Sequence, residues 1–437
     1  MKEICLNFFT SAGRSEWLHK RRLLSGVMKE ANVNNFSEDS FFTENEKATQ
    51  QIIFGIGAIN RAGEASKKLG SNVLLVTDSG LSSVGHPQKL KAILEQSNLN
   101  VTLFDQSTEN PTESSVQSCV QVAKEAQVDL IVGLGGGSSM DTAKGCNFIL
   151  SNGGKMSDYW GIDKAHKPML PLVAIPTTAG TGSECQSFAL ISEDQTHKKM
   201  ACGDKKALPQ VTILDPELTL SLPNSVTACT GVDALAHALE SIVTTKRNPS
   251  SIRHAQLAFD LIQENLPLVF QDPQDLESRG KVLLGASHAG AAIERSMLGA
   301  AHSMANPLTA SRGVVHGIAV GMVLPEVIKF NAVQTETNHI YAEVARKSGL
   351  AGLGSSDFEA TQSLIDRVSQ ILKLANIPSS LEEQGFMPTD IQTLALAATE
   401  QWTANFNPRP LEEEDFKNLY SQLFSSIPCT SQPIQAN

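Results

Sequence analysis

Two hydrophobic rhythms divide the chain. From about residue 50 to 220, short apolar runs alternate with segments whose apolar residues recur every three or four positions. "SNVLLVTDSGL" is an apolar run ending in Thr77, Asp78, Ser79 and Gly80, a strand passing into a turn, and "NVTLFDQ" predicts a second strand. "ESSVQSCVQVAKEAQ" is helical by spacing. "VDLIVGLGGGSSMDTAKG" predicts a buried strand, a glycine turn and a helix, and "MLPLVAIPTTAGTGSE" another strand breaking into a Thr/Gly loop. Strand, turn and helix in this order predict a parallel α/β sheet. After about 221 the strand signal fades. "SVTACTGVDALAHALESIVT", "SSIRHAQLAFDLIQENLPLVF" and "DLESRGKVLLGASHAGAAIERSM" carry the helical period, so this half is expected to be all-α. The two halves should meet at a cleft, a usual location for a ligand site.

With 437 residues, 41% hydrophobic and 19% charged, the chain has room for two cores of ordinary globular composition. A net charge of -11 argues against nucleic acid or an anionic membrane surface as partner. No apolar run approaches the ~20 residues of a membrane span. Cys5, Cys119, Cys146, Cys185, Cys202, Cys229 and Cys429 form no CxxC pair and no framework spacing, which reads as reduced thiols in a cytoplasmic protein. The first 48 residues differ in character: "GRSEWLHKRRLLSGVMKEA" is basic and amphipathic, "NNFSEDSFFTENEK" polar and acidic. Glu3, Glu16 and Glu30 spoil the acid-poor signature of a transit peptide, so an extension capping the first domain is the expectation.

Candidate chemistry sits where these elements end. In "GLGGGSSMDTAKG", consecutive glycines between strand and helix allow backbone N–H groups to approach an anion, and the helix start adds partial positive charge. The spacing is not that of the Rossmann GxGxxG motif. Asp141, in the helix's first turns with Lys144, can cap or orient the loop. "PTTAGTGSE" offers Thr177, Thr178 and Thr181 in a second strand-end loop. Two such loops on neighbouring parallel strands suit a dinucleotide.

A lone histidine on an apolar face is ordinarily a packed core residue. Four donors on apolar segments read differently. Asp233 and His237, four apart in "TGVDALAHALE", project from one apolar helix face. His302 and His316 lie in "AAHSMANPLTASRGVVHGIAVGMVLP", a run rich in small residues. A buried Asp beside a buried His needs a partner. One carboxylate and three imidazoles suit a divalent transition metal with an open coordination position.

In their order along the chain, these four segments resemble the signatures of the iron-containing (group III) alcohol dehydrogenases, from about residue 50 to past 420. The resemblance implies a dehydroquinate-synthase-like fold: an extension over 1–48, an α/β dinucleotide-binding domain over 49–220, a helical metal-binding catalytic domain over 221–428 and a tail over 429–437. It implies one Fe2+ or Zn2+ ion on Asp233, His237, His302 and His316. It places a pyrophosphate on Gly136, Gly137, Ser138 and Asp141, with further nucleotide contacts at Asp78, Asn110, Thr177, Thr178, Thr181 and Lys199. NAD rather than NADP is expected, because the Asp78 carboxylate would repel a 2′-phosphate. One position departs from the family. Members commonly carry a second histidine four residues after His302, where this chain has Asn306. Asn306 is therefore grouped with the catalytic residues as an orienting amide, not an acid or base. The alternative is that it satisfies backbone groups in an Asn-Pro turn.

The implied reaction is reversible hydride transfer between a small alcohol and the nicotinamide, with the metal as Lewis acid. A homodimer or larger homo-oligomer is expected. A hydroxyacid–oxoacid transhydrogenase and a glycerol-dehydrogenase-like enzyme of the same fold are the alternatives, and Asp233 beside three histidines argues against the latter. A catalytically silent metal- or nucleotide-binding protein finds support only in Asn306.

Overall fold

A computed structural model describes residues 50–196 and 198–424, so the expectations for 1–48 and for the tail fall outside the described residues. The first half is built on nine strands: β1 (Gln51–Phe54), β2 (Asn72–Val76), β3 (Asn100–Phe104), β4 (Leu130–Gly135), β5 (Gly161–Ile162), β6 (Leu172–Pro176), β7 (Phe188–Ser192), β8 (Lys199–Gly203) and β9 (Val211–Leu214). Six form one sheet in the order β1-β9-β6-β4-β2-β3, every neighbouring pair parallel. Strands buried on both faces explain the unbroken apolar runs. Leu74, Val76 and Ile131 feed the core on one face, while Val73, Leu75, Leu130 and Val132 feed the other. From β2 the chain steps outward to β3, then returns past β2 to β4 and β6. The order thus reverses between β2 and β4, and the crevice beyond the carboxyl ends of such strands is where α/β sheets bind ligands.

A second sheet, β5-β8-β7, has β7 antiparallel to β8 and was not anticipated from the sequence. The strands "FALIS" and "KMACG" are short, do not alternate, and are joined by a polar connection without a Gly turn signal.

Beyond Leu214 the described chain contains no strand. Helices Asn224–Ser241, Pro249–Gln271, Leu276–Arg295, Ala300–Arg312 and His316–Ala332 are followed by four more, ending at Ser421. None of the described helices is long and apolar enough to cross a membrane. An α/β half followed by an all-helical half is the fold class expected.

The halves are bolted together beside the cleft. Gly182 (φ 62°) in the loop after β6 meets Gly290 of helix Leu276–Arg295 so closely that a Cβ on Gly290 would lie 2.2 Å from the Gly182 carbonyl oxygen. The Ser287 hydroxyl donates to the buried Glu184 carboxylate, and Ser187 donates through its N–H and hydroxyl to Glu294 at 2.9 and 2.8 Å. The loop after β6 is therefore tied to the helical half.

One buried pair carries a pH dependence. His254 and His288 face each other between helices Pro249–Gln271 and Leu276–Arg295, Nδ1 to Nδ1 at 2.8 Å. Burial first, then the facing imidazole and the Arg295 and Arg253 cations, push His254 down to about 2. Burial, Arg253 and Arg295 push His288 down to about 3. Below the ordinary imidazole value of about 6.5, the unfolded chain takes up protons that the fold refuses. Stability from the pair is thus fully present above about pH 6.5 and is lost as pH falls, by up to roughly 2.7 kcal/mol per pH unit for two groups. Urea midpoints at about pH 7.5 and about pH 5.5, with chelator present throughout, should show wild type losing more stability than the His254→Leu/His288→Leu variant.

Candidate active site

Three helices supply the candidate metal donors, and the sequence dictates how closely they approach. Asp233 and His237 lie one turn apart on helix Asn224–Ser241. His316 opens helix His316–Ala332, and the next residue, Gly317, rests against that first helix: a Cβ there would lie 2.1 Å from the Cys229 carbonyl oxygen. Only glycine permits this crossing, which draws His316 toward Asp233. His302 sits on helix Ala300–Arg312, whose first N–H groups are satisfied from outside: Ala300 N donates to Asn407 Oδ1 at 3.2 Å and Ala301 N to Glu240 Oε1 at 2.6 Å.

The four donors converge. Asp233 Oδ1 lies 3.4 Å from His237 Nε2, 3.5 Å from His302 Nε2 and 3.7 Å from His316 Nε2. The Asp233, His237 and His302 donor atoms all fall within 4.8 Å of one another, and these three residues are buried. The His316 side chain keeps 31% of its surface accessible, so the cluster opens on that side. The His237 and His302 rings stack at 4.8 Å.

Two observations test whether a divalent ion fits. Asp233 Oδ1 and His302 Nε2 are buried without any hydrogen-bond partner, an arrangement costly in an apolar setting unless another group completes it. The far nitrogen of His302 is also fixed, because Nδ1 bonds Glu240 Oε2, which turns Nε2 toward the cluster. A carboxylate and imidazole nitrogens around an opening are the donor chemistry of a divalent transition metal.

The electrostatics agree. Burial alone would raise Asp233, but His237, His302 and His316 outweigh it and hold the carboxyl far below the usual range. Burial lowers His316 to about 3 despite Asp233, and lowers His237 too. His302 departs the other way: against burial, Glu240 and Asp233 push it up to about 9, so a divalent ion at Nε2 would have to displace a proton.

Glu240, buried and one turn beyond His237, was overlooked in the sequence. The signal was present, because it continues the apolar face of "DALAHALE" with a third polar group.

The strand ends bring the nucleotide candidates together. Gly136 and Gly137 follow β4 at the start of helix Gly137–Asn152. A Cβ on Gly136 would meet Thr178 Cγ2 at 3.2 Å, and one on Gly137 would meet Thr181 Cγ2 at 2.9 Å, so the two strand-end loops face each other in contact. Ser138 lies in the first turn, its carbonyl accepting from Thr142 Oγ1 at 2.8 Å. Thr177 N closes the loop onto the Gly135 carbonyl. Asp78, two residues beyond β2, accepts from Leu81 N at 3.0 Å and from Ser139 Oγ at 3.3 Å. It caps helix Ser79–Val84 while touching the glycine loop.

Asp141 does not cap its own helix. It is buried, accepts from Ser183 Oγ at 3.1 Å, and is raised by burial to about 6 against the pull of Lys144. Lys144, fully buried, donates to the Ser183 carbonyl, the Ser183 hydroxyl and the Phe188 carbonyl. Lys199 on β8 has an accessible side chain, yet burial lowers it, and Asp141, Asp233 and Glu109 act on its ammonium, which sets it between the glycine loop and the metal donors. Asn110 stands exposed in the turn after β3 with φ of 51°.

Helix Ala300–Arg312 runs on through Pro307, so the turn suggested by Asn306-Pro307 does not form. Tertiary contacts override the local breaker: Met304 to Leu308 are buried or half-buried, and the Tyr420 hydroxyl donates to the Met304 carbonyl at 2.7 Å. Asn306 stays one turn beyond His302 and donates from Nδ2 to Gln401 Oε1 at 3.0 Å.

Comparison with known proteins matches both halves. Residues 49–216 fit the family model described as iron-containing alcohol dehydrogenase, and residues 227–424 fit the C-terminal model of the Fe-containing alcohol dehydrogenase family. The chain belongs to the iron-containing alcohol dehydrogenase family. Among relatives of this family, it is 36% identical to alcohol dehydrogenase 4 of Schizosaccharomyces pombe, across 84% of this chain and 86% of that one. It is 34% identical to the NAD-dependent methanol dehydrogenase of Bacillus methanolicus, across 84% and 96%. A solved 1,3-propanediol oxidoreductase superposes with a TM-score of 0.83 at 32% identity, covering 85% of this chain and 97% of its own. An iron-containing alcohol dehydrogenase is thus an oxidoreductase acting on CH–OH groups, and this chain carries the family's two-part fold with a buried Asp/His/His candidate metal site.

Proposed function

We propose that this protein is a NAD-linked, metal-dependent dehydrogenase of a small alcohol, working reversibly as an aldehyde reductase. The observation that carries the reading is the pair of buried, partnerless donor atoms, Asp233 Oδ1 and His302 Nε2, in a cluster that opens at His316. Asp233, His237, His302 and His316 would hold the ion. When bound, a divalent ion supplies Lewis acidity toward the alcohol oxygen, and the nicotinamide supplies the hydride acceptor.

The chain's own residues set the conditions. Gly136 and Gly137 let Thr178 and Thr181 pack against the start of helix Gly137–Asn152, whose free backbone N–H groups would face a pyrophosphate. Lys199 adds positive charge between that loop and the donors. Glu240 holds the His302 proton on Nδ1, so that Nε2 is the atom left for the ion. Trp402 of the helical half lies 6.1 Å from Phe188 of β7, an aromatic contact between the two halves. An assay of nicotinamide reduction at about 340 nm across an alcohol panel tests the reading, since transfer visible only between a bound cofactor and paired substrates would point to a transhydrogenase.

Cofactor choice is the finer part of the proposal. Asp78 follows β2 and accepts from Ser139 in the helix after the glycine loop, a position suited to the adenosine ribose. About two negative charges on a 2′-phosphate at ~5 Å would be repelled by roughly 2 kcal/mol even at the dielectric of water. NAD is therefore expected to exceed NADP in kcat/KM by more than about tenfold. Because Asp78 also caps a helix, Asp78→Asn is the informative change: it keeps an acceptor for Leu81 N and removes the charge. The NAD preference should narrow in that variant, and a wild-type preference for NADP would reject the assignment.

A further inference from the structure

Residues 401–409 reach all three helices that carry the candidate metal donors. Toward the His302 helix, the Ser303 and Thr403 hydroxyls share a hydrogen bond at 2.7 Å, and Ala300 N donates to Asn407 Oδ1 at 3.2 Å. Near the end of the His316 helix, Arg409 Nη1 donates to the Phe330 carbonyl at 3.0 Å, and its guanidinium stands 3.7 Å from the centre of the Phe330 ring. Just past the helix of Asp233 and His237, Thr245 N donates to the Phe406 carbonyl at 2.8 Å.

These links meet at Asn407. The residue is buried, and each of its four hydrogen-bonding positions is taken. Oδ1 accepts from Ala300 N and from Asn331 Nδ2, both at 3.2 Å, while Nδ2 donates to Asn331 Oδ1 and to the Arg409 carbonyl, both at 2.7 Å. The main-chain partners decide the sense of the amide. Reversed, it would set Nδ2 against the Ala300 N–H and Oδ1 against the Arg409 carbonyl, two conflicts that no rotation of Asn331 relieves. Asn407 therefore holds one orientation, and the acceptor it offers Ala300 is fixed.

Ala300 opens the helix on which His302 lies two residues further on. The first N–H groups of a helix have no partner within it. Here side chains from two other elements take them, Asn407 serving Ala300 and Glu240 serving Ala301. Glu240 also bonds the His302 ring. The ring is thus held by Glu240, and the backbone beneath it by Glu240 and Asn407 together. These bonds set where Nε2 stands relative to Asp233 Oδ1, 3.5 Å away.

We propose that Asn407 is a positioning residue for the metal site, placing His302 through the Ala300 N–H. Docking of residues 401–409 and binding of the ion then favour each other, by the same factor in both directions. The proposal rests on the metal-site reading above and adds to it a residue that lies outside the donor helices and touches no donor.

The test titrates Co2+ into metal-free wild type, Asn407→Leu and Asn331→Leu, reading the visible absorption of the bound ion and its dissociation constant by competition with a chelator. Asn407→Leu should weaken Co2+ binding about tenfold, the lower end of what partners of ligating histidines contribute, and should shift the absorption band. Asn331→Leu breaks the amide pair but leaves Ala300 its acceptor, so its Co2+ affinity should stay close to wild type even where its melting temperature falls. An unchanged affinity and band in Asn407→Leu would overturn the proposal. So would equal losses in the two variants, which would reduce Asn407 to a packing role. Should Asn407→Leu not fold, hydrogen exchange on wild type decides. Co2+ should slow exchange at residues 299–303 and 401–409 together, and protection of the first segment alone would overturn the coupling. Wild type that binds no Co2+ would sink the metal-site reading itself, a result distinct from these.

Discussion

His302→Ala protein, purified without chelator, is expected to contain little metal by elemental analysis, against nearly one divalent ion per chain in wild type. The substitution removes the Nε2 donor 3.5 Å from Asp233 Oδ1 and leaves Asp233 among only two imidazoles. It also takes from Glu240 the imidazole bonded to its Oε2, so two buried carboxylates lose a shared partner. Loss of a Lewis acid removes several kcal/mol of transition-state stabilisation, so turnover should fall by on the order of a thousandfold or more. A fold check by circular dichroism separates this from collapse. Full dehydrogenase activity in metal-free wild type would show that the four donors are not the catalytic core.

Why His302 could be read from the sequence, while its partner could not, follows from what each depends on. Asp233 and His237 reveal themselves by spacing: four residues apart on a helix whose other residues are apolar, they must share a buried face. His302 and His316 stand out because the runs around them are small and apolar. The glycine loop was legible for a similar reason, since Gly136 and Gly137 mark a backbone approach that a Cβ would close, here by Thr178 and Thr181. Residues whose role depends on a distant segment left no such trace. Glu240 acquires its partners only when helix Ala300–Arg312 brings Ala301 and His302 to it across more than sixty positions. Lys144 looks like an ordinary lysine early in a helix, and its complete burial follows from the loop at Ser183 folding over it. Gln401 cannot be connected to Asn306 before the fold exists. The helix through Pro307 shows the converse, a local breaker signal overridden by packing.

The second large effect belongs to Glu240. Its two oxygens divide two tasks, one accepting from Ala301 N at the start of helix Ala300–Arg312 and the other bonding His302 Nδ1. The neighbouring Gly299 has no room for a Cβ, which would meet Asn407 Oδ1 at 2.8 Å and Glu240 Oε1 at 3.2 Å, so helix start and carboxylate are fitted to each other. In Glu240→Gln the amide retains one acceptor. If it serves His302, the Nε2 hydrogens confront the Ala301 N–H; if it serves Ala301, they confront His302 Nδ1–H. Either way His302 is held less well and its Nε2 is a weaker donor, as for other partners of ligating histidines, whose loss costs about 10- to 100-fold in metal affinity. Competition with a chromogenic chelator should therefore show the metal dissociation constant of Glu240→Gln rising by about that factor, and Glu240→Ala by more. Added metal ion should restore most of the lost turnover, because the four donors remain. A purely structural role predicts otherwise: a lower melting temperature, unchanged affinity in the folded fraction, and no rescue by excess metal.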